Sequence, residues 1–445
     1  MEYSNLTSAD LAECLNRKTK FVKFVSMASE SKTLTQLSVL LTNEEVNNAL
    51  RKWFREPTEF THWEHVGEMG KGDSYLSDVF RIKIHGNSDG NSRHVQLIVK
   101  TIPKNICRRL TFRSHDFFRN EINFYLNVLP VLLKFQSDKQ VTEPYENYTN
   151  IFLALTDGIH DVICLEDVSL QNYGNPIRQE GIDYEHFQLT VKVLAKFHAL
   201  SFAMHDQKPE EFAKMSNVLT EVYYDPKYWV WYEKFWKRLC ITAIDAVERE
   251  YPNTVYVDKV KEFAIPKRYQ DMIKAVQDKT NSVISHGDCW TVNFLYKYEN
   301  KQPVDAKMID FQLTRCASPV LDLSFAIYAC TDQNLRATHY DALLKEYYEV
   351  LSRQISEMGS DPNKVYPWSK FMEEVKKYSY FGLAFSFEST PFIILEPEDA
   401  FKMDDVMGDQ KRNIEEFWPV TPIKTKAGRL REANNIVHCV DRGFI

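Results

Sequence analysis

The period of the hydrophobic positions changes along this 445-residue chain. In the first 170 or so residues the apolar runs are short and many alternate. Residues 79–84 and 94–102 alternate around Gly86-Asn87-Ser88-Asp89-Gly90-Asn91-Ser92, which predicts a hairpin with its turn over 86–92. Residues 151–155 and 162–165, around Asp157-Gly158, predict a second one. Helical spacing enters with Thr42-x-x-Glu45, a capping box ahead of Val46, Leu50 and Trp53. It returns with a stripe of Phe118, Ile122, Tyr125 and Leu129, where Pro130 predicts a nearby helix end. Beyond residue 170 the pattern is mostly helical. Residues 186–204 are apolar on nearly every face, as in a helix buried in a core. Residues 321–328, 340–351, 371–387 and 430–440 also read as helices, whereas the charged, Pro-punctuated stretch 395–422 reads as a long loop. His198 lies in the apolar helix without a cluster of other ligand types and reads as a hydrogen-bonded core histidine.

One segment breaks the helical pattern and carries chemistry. Val283 and Ile284 run as a short buried strand into Ser285-His286-Gly287-Asp288-Cys289-Trp290-Thr291-Val292-Asn293, and 292–298 reads as a strand again. A polar turn over 299–302 leads to a strand at 306–309 that ends at Asp310. A hairpin of these two strands sets Asn293 and Asp310 at one end, beside the loop that holds Asp288. Two carboxylates and an amide are oxygen donors of the kind magnesium takes together with substrate phosphates. Phosphoryl transfer needs a carboxylate to receive the hydroxyl proton and a further Asp and Asn at the metal. The spacing from Asp288 to Asn293 equals that of His-Arg-Asp-x-x-x-x-Asn in kinases, with Gly287 in place of the Arg.

Three earlier features fit the same chemistry. Gly67, Gly70, Gly72 and Ser74 form a glycine-rich turn whose backbone N–H groups could approach phosphate oxygens, although Tyr75 stands where protein kinases have a third glycine. Lys100 ends a buried strand and so requires an anion, either an ATP phosphate or Glu121 on the following helix. Leu165-Glu166-Asp167-Val168 leaves the second hairpin where a hinge between lobes would lie.

His286-Gly287-Asp288 with Asn293, followed by Ile309-Asp310-Phe311-Gln312, resembles the choline and aminoglycoside kinase superfamily. His-Gly-Asp-Cys-Trp, Ile-Asp-Phe-Gln and Pro319-Val320-Leu321-Asp322-Leu323 resemble, more narrowly, the ecdysteroid kinase-like family of arthropods, in motif order from about Thr42 onward. The resemblance implies a two-lobed protein-kinase-like α+β fold. An N-terminal extension (1–41) would precede an antiparallel five-stranded N-lobe (42–168) and a mostly helical C-lobe (169–445) with the catalytic loop and acceptor site. It implies that Asp288 is the catalytic base, that Asn293 and Asp310 hold magnesium, that His286 braces the loop, and that Asp322 hydrogen-bonds back to it. The Lys100–Glu121 pair would orient ATP, with adenine read by backbone groups at Glu166 and Val168. The acceptor would be a small-molecule alcohol, with an ecdysteroid as the family's suggestion. Protein-kinase activity fits poorly, since Asp-Phe-Gly is Asp-Phe-Gln, no Ala-Pro-Glu follows, and the interval from Gln312 to Asp322 leaves no room for an activation loop. A choline or ethanolamine kinase and a non-catalytic kinase-like binding protein stay open as alternatives.

Composition narrows the partners. A net charge of −7 argues against a nucleic-acid partner. No apolar run reaches a membrane-spanning length. Acids at Glu2, Asp10 and Glu13, and bases from Arg17 to Lys23, make the N-terminus a poor signal or transit peptide. Eight scattered cysteines without a Cys-x-x-Cys pair read as free thiols of a reducing, cytoplasmic setting. The oligomeric state is not set by the sequence. The densest aromatic run, Tyr223 to Trp236, carries only Asp225 and Glu233 as acids, which favours a largely apolar, uncharged acceptor over a polycation.

Overall fold

Alternation of buried and exposed side chains makes β2 (Asp78–Ser88) and β3 (Asn91–Thr101) pair along their whole length in this computed structural model. The model describes residues 33–67, 76–395, 408–418 and 420–445. The hairpin turn is shorter than the seven residues expected. Only Asp89 and Gly90 lie between the strands, both with positive φ (48° and 84°), because a two-residue Asp-Gly loop matches the twist of the strands it joins. Strands β1 (Glu59–His65), β4 (Ile151–Leu155) and β5 (Val162–Glu166) complete an antiparallel sheet in the order β1-β2-β3-β5-β4. The capping box forms as expected: Thr42 accepts from the Glu45 N–H and opens α1 (Asn43–Phe54). Its Val46 and Leu50 pack with Ile82, Ile84, Leu97, Val99 and Val162. Leu34, Leu37 and Leu41 join this core, although the polarity of residues 1–41 suggests an extension. Helix α2 (Ser114–Asn123) carries Glu121.

The chain divides into two compact units. The first takes in the chain up to Ile122, Thr149–Leu170 and a return that ends at Phe417; the second has Asn123–Tyr148, the chain onward from Gln171, and Trp418–Ile445. In the second unit, Pro130 does not end helical structure. Phe124–Val128 makes a π-helical turn and α3 (Leu129–Ser137) follows, with Pro130 in its first turn, where a missing N–H costs no helical bond. The core of this unit is helical: α4 (Tyr184–Gln207), α5 (Trp229–Glu250), α6 (Pro319–Cys330), α7 (Gln333–Glu357), α8 (Trp368–Ile393) and α9 (Lys426–Asp441). Every residue of α6 is buried, and α8 packs along it through Gly382. Two small sheets interrupt the helices. One is β6 (Tyr173–Gly174), β8 (Phe294–Glu299) and β9 (Gln302–Met308); the other pairs β7 (Val283–Ser285) with β10 (Arg315–Ala317). Thr291–Asn293 forms a 3-10 turn, so β8 starts two residues later than the alternation suggests. Within 395–422, expected to be loop, Ile414–Phe417 is helical. Five antiparallel strands and a mostly helical second unit make the two-lobed α+β fold of the kinase-like class. No helix among the described residues is long and apolar enough to cross a membrane.

Candidate active site

The β8–β9 hairpin does what its sequence predicts. Phe294 pairs with Met308 at its open end, and the Ile309 N–H donates to the Asn293 carbonyl (3.0 Å), so Asn293 and Asp310 lie side by side. The Asn293 Nδ2 donates to both the carbonyl of Asp288 (2.9 Å) and its Oδ2 (3.0 Å). Both partners are acceptors, so the amide nitrogen must face Asp288, which leaves the Asn293 Oδ1 lone pairs facing outward. Asp310 adopts a left-handed backbone (φ 66°, ψ 61°). The Asp288 carboxyl is pushed up to about 8 by burial first and then by the charges of Asp310 and Glu388, against the Asn293 hydrogen bond and Arg315.

The loop before Asp288 is held from beneath. Asp322, in the first turn of α6, accepts from the N–H groups of His286 (2.6 Å) and Gly287 (2.9 Å). His198 Nε2 lies 3.2 Å from the same carboxylate, and its Nδ1 meets the Tyr347 hydroxyl at 2.7 Å. The Asp322 carboxyl sits below the usual range: burial alone would raise it, and the His198 hydrogen bond and charge outweigh that. The tautomer of His286 is fixed by its partners. Nδ1 accepts from the Asp288 N–H (3.2 Å), so Nε2 carries the proton and donates to the Ile309 carbonyl (2.8 Å). The ring thus ties the loop to the end of β9. Phe311 stacks on Phe124 (3.9 Å between ring centroids) and meets His286 at 4.7 Å, which anchors the turn after Asp310. Cys289, adjacent to Asp288, is buried and its thiol is raised by that burial, so it has no thiolate character.

In the first unit, Lys100 Nζ reaches both oxygens of Glu121 (2.9 and 3.1 Å), and both side chains are largely buried. The Glu166 N–H donates to the Asn150 carbonyl (2.9 Å), and Val168 opens a 3-10 turn. Asp167 between them is fixed by Gln96 Nε2 (2.7 Å) and by the Ser169 N–H (3.0 Å). Gly70, Gly72 and Ser74 lie outside the described residues.

The aromatic run splits on folding. Tyr223, Tyr224, Tyr232, Phe235 and Trp236 are buried, while Tyr228, Trp229 and Trp231 keep partial access to solvent. An acid far away in sequence enters the cluster. Tyr223 Oη donates to both carboxylate oxygens of Glu388 on α8 (2.8 Å each), and Tyr232 Oη donates to Oε2 (2.6 Å). Burial pushes the Glu388 carboxyl up to about 7 against these two donors. Phe385, one turn earlier, meets Tyr223 and Tyr224 at 6.0 and 5.7 Å. Arg315 on β10 pairs with Glu221 (3.1 Å) and lies over the Tyr224 ring (5.3 Å).

Residues 71–360, well over half of the chain, match the model of the ecdysteroid kinase-like family. The chain belongs to this family. It is a small-molecule kinase by that membership. No curated protein matches the sequence. Similar solved structures include the GDP and kanamycin complex of APH(2″)-IIIa, at 14% identity over 77% of this chain and 97% of that one, with a TM-score of 0.33. They include an aminoglycoside-3′-phosphotransferase of type VIII (15%, 71% and 99%, TM-score 0.26). A third is the ADP-bound aminoglycoside phosphotransferase APH(2″)-Ib (11%, 71% and 98%, TM-score 0.27).

Of the residues picked out from sequence, the structure gathers His286, Asp288, Asn293 and Asp310 at one hairpin end within the second unit. It pairs Lys100 with Glu121 within the first. Sequence reasoning overlooked His198 as a partner of the loop-holding Asp322, and overlooked Glu388 altogether. Each is a titratable side chain among large apolar neighbours (Phe197 and Leu200; Phe385 and Phe387), and that setting was the available signal.

Proposed function

We propose that this chain is an ATP-dependent kinase that transfers the γ-phosphate to a hydroxyl of a largely apolar alcohol, with ecdysteroids as the acceptor class. One observation carries the reading: the Asp288 carboxylate, oriented by Asn293, stands beside Asp310 on a loop whose backbone is gripped by Asp322. Asp288 accepts the acceptor's hydroxyl proton through the oxygen that Asn293 leaves open. Lys100, braced by Glu121, takes ATP phosphate oxygens. The Glu166 N–H is spent on Asn150, so base recognition at Glu166 falls to its carbonyl, with the Val168 N–H beside it. Gly70, Gly72 and Ser74 would cover the phosphates.

Asn293 Oδ1 and the Asp310 carboxylate would hold Mg²⁺. The outward groups are two carboxylates and an amide oxygen, while the His286 imidazole has both nitrogens engaged and the Cys289 thiol is buried, which fits a hard cation. When bound, the ion neutralises charge on bridging phosphate oxygens. What the protein supplies is position: a fixed base, a fixed amide and a buried loop beneath them.

Phosphoryl transfer to a panel of hydroxylated steroids, phenols, choline and aminoglycosides tests this. Asp288→Asn should lower kcat by roughly 10²–10⁴ and leave Mg-ATP binding nearly intact. Asp310→Ala should weaken nucleotide binding and blunt its magnesium response. Half the wild-type rate in Asp288→Asn would remove it as the base. Choline or an aminoglycoside outperforming every neutral alcohol in kcat/KM would overturn the apolar acceptor.

A further inference from the structure

We propose that Glu388 is the residue that anchors the acceptor: its carboxylate, set among Tyr223, Tyr232, Trp231 and Phe385, receives a hydrogen bond from a second hydroxyl, so that the substrate is an apolar diol or polyol. The inference rests on the reading of Asp288 as the base and goes on to name what the other end of the acceptor must carry.

Glu388 is out of place as a purely structural residue. It follows Phe381, Leu383, Ala384, Phe385 and Phe387, all buried, and Ser389 after it is buried too, yet Glu388 itself keeps partial solvent access. A carboxylate in such surroundings is costly unless paired. Among the described residues its only partners are the hydroxyls of Tyr223 and Tyr232. Two O–H groups, one of them shared between both carboxylate oxygens, occupy at most three of about four acceptor positions on a carboxylate, so at least one position is left. The remaining acids of the cluster are taken: Glu221 pairs with Arg315, Asp225 with Lys227 and Glu233 with Lys237.

The position relative to the reaction centre follows from packing. Tyr224, whose ring edge meets that of Tyr223 (5.1 Å), lies under Arg315, and Arg315 is in register with Ser285, three residues before Asp288. Glu388 is near enough for its charge to act on the Asp288 carboxyl. Rings surround the Glu388 carboxylate, and its open acceptor position is separate from the base. A flat apolar body with one hydroxyl at Asp288 and a second at Glu388 satisfies both. A quaternary ammonium donates no hydrogen bond and would leave that position unused. A polycation would find one unpaired acid where it needs several.

The test is binding to the full chain in the presence of Mg-ADP, by calorimetry, of three probes on one steroid frame: a diol, the mono-alcohol without the second hydroxyl, and the analogue with an amine in its place. The diol should bind at least tenfold tighter than the mono-alcohol, since a hydrogen bond to a charged group is worth about that much. Glu388→Gln should remove most of this preference while Mg-ADP affinity stays within about twofold. Glu388→Asp keeps the charge but withdraws the carboxylate by one methylene; it should weaken the diol too, and it decides the matter if the Gln variant does not fold. Equal losses for diol and mono-alcohol, amine binding that is unchanged in Glu388→Gln, or no binding of any probe to the wild type would each overturn the anchoring role. Phosphate transfer, measured alongside with Asp288→Asn, separates the two readings. A diol that binds through Glu388 and is never phosphorylated sinks the kinase reading alone; a mono-alcohol phosphorylated as well as the diol sinks the anchor alone.

Discussion

A Cβ on Gly287 would stand 2.1 Å from the carbonyl oxygen of Leu313, and the residue has φ of 84°. The obstacle is backbone, so no rotamer change relieves it, and the left-handed conformation itself costs an L-residue about 1–2 kcal/mol. The position that is Arg in protein kinases is therefore closed to any side chain here, because the loop lies flat against the turn after Asp310 while its N–H donates to Asp322. Gly287→Ala should cost about 2 kcal/mol or more in stability and depress kcat even where the protein folds, since the Asp288 backbone must move. Thermal unfolding and steady-state rates check this together; a variant with wild-type values in both would mean the loop is more plastic than its geometry. At this scale the spacing Asp288-x-x-x-x-Asn293 and the hairpin to Asp310 were legible, because short-range chain geometry places those groups. The tautomer of His286 and the grip of Asp322 were not readable from spacing, as each depends on which atoms face which.

Elements meet most closely where a side chain is missing. An added Cβ on Gly382 of α8 would lie 2.2 Å from the Ser324 carbonyl carbon and 2.3 Å from its oxygen on α6. The two helices touch backbone to backbone there, and Phe325 and Phe385 stack close by at 4.1 Å between centroids. Because α6 also carries Asp322, this contact bears on how firmly the loop before Asp288 is held. Gly382→Ala should separate the helices, destabilise the protein by about 1–3 kcal/mol and lower kcat through the displaced Asp322. Gly174→Ala is the control: nothing lies within 4 Å of its Cβ position, and it should be neutral. Equal melting temperatures for the two variants would contradict the argument. Hydrophobic period revealed residues 321–328 and 371–387, within α6 and α8, as helical, but it registers side chains, so a glycine contact leaves no trace in it. The same blindness explains Pro130. A helix end was expected near Pro130, yet a π-helical turn before it and a fresh first turn around it absorb the missing N–H and helical structure continues to Ser137.

Over the whole molecule, the change from alternation to helical spacing made the α+β class readable, since period depends on neighbours in sequence. Contacts that join Tyr223 to Glu388, or His438 to Tyr328, span more than a hundred residues, and no local pattern encodes them. His438 shows what such burial does to stability. It lies on α9, its Nδ1 3.0 Å from the Tyr328 hydroxyl, and burial first, then the charges of Arg336 and Arg442, hold its imidazole down to about 3, with Asp341 opposing. In the unfolded chain it would take a proton near 6.5. Between those values the unfolded state binds the extra proton, so the contribution of His438 is complete above about pH 6.5 and is lost as pH falls, with a slope of about 1.4 kcal/mol per pH unit. The net curve of the protein also contains groups of opposite sign, such as Glu432, raised by burial to about 8. The difference between wild type and His438→Gln isolates the histidine, because the amide does not titrate and its oxygen can still accept from Tyr328. Denaturant unfolding at pH 7 and pH 4.5 should show the wild type losing about 2–3 kcal/mol relative to the variant between the two conditions. A gap that stays constant would mean that His438 takes up its proton equally well folded and unfolded, against the burial and the charges of Arg336 and Arg442 that oppose it in the fold.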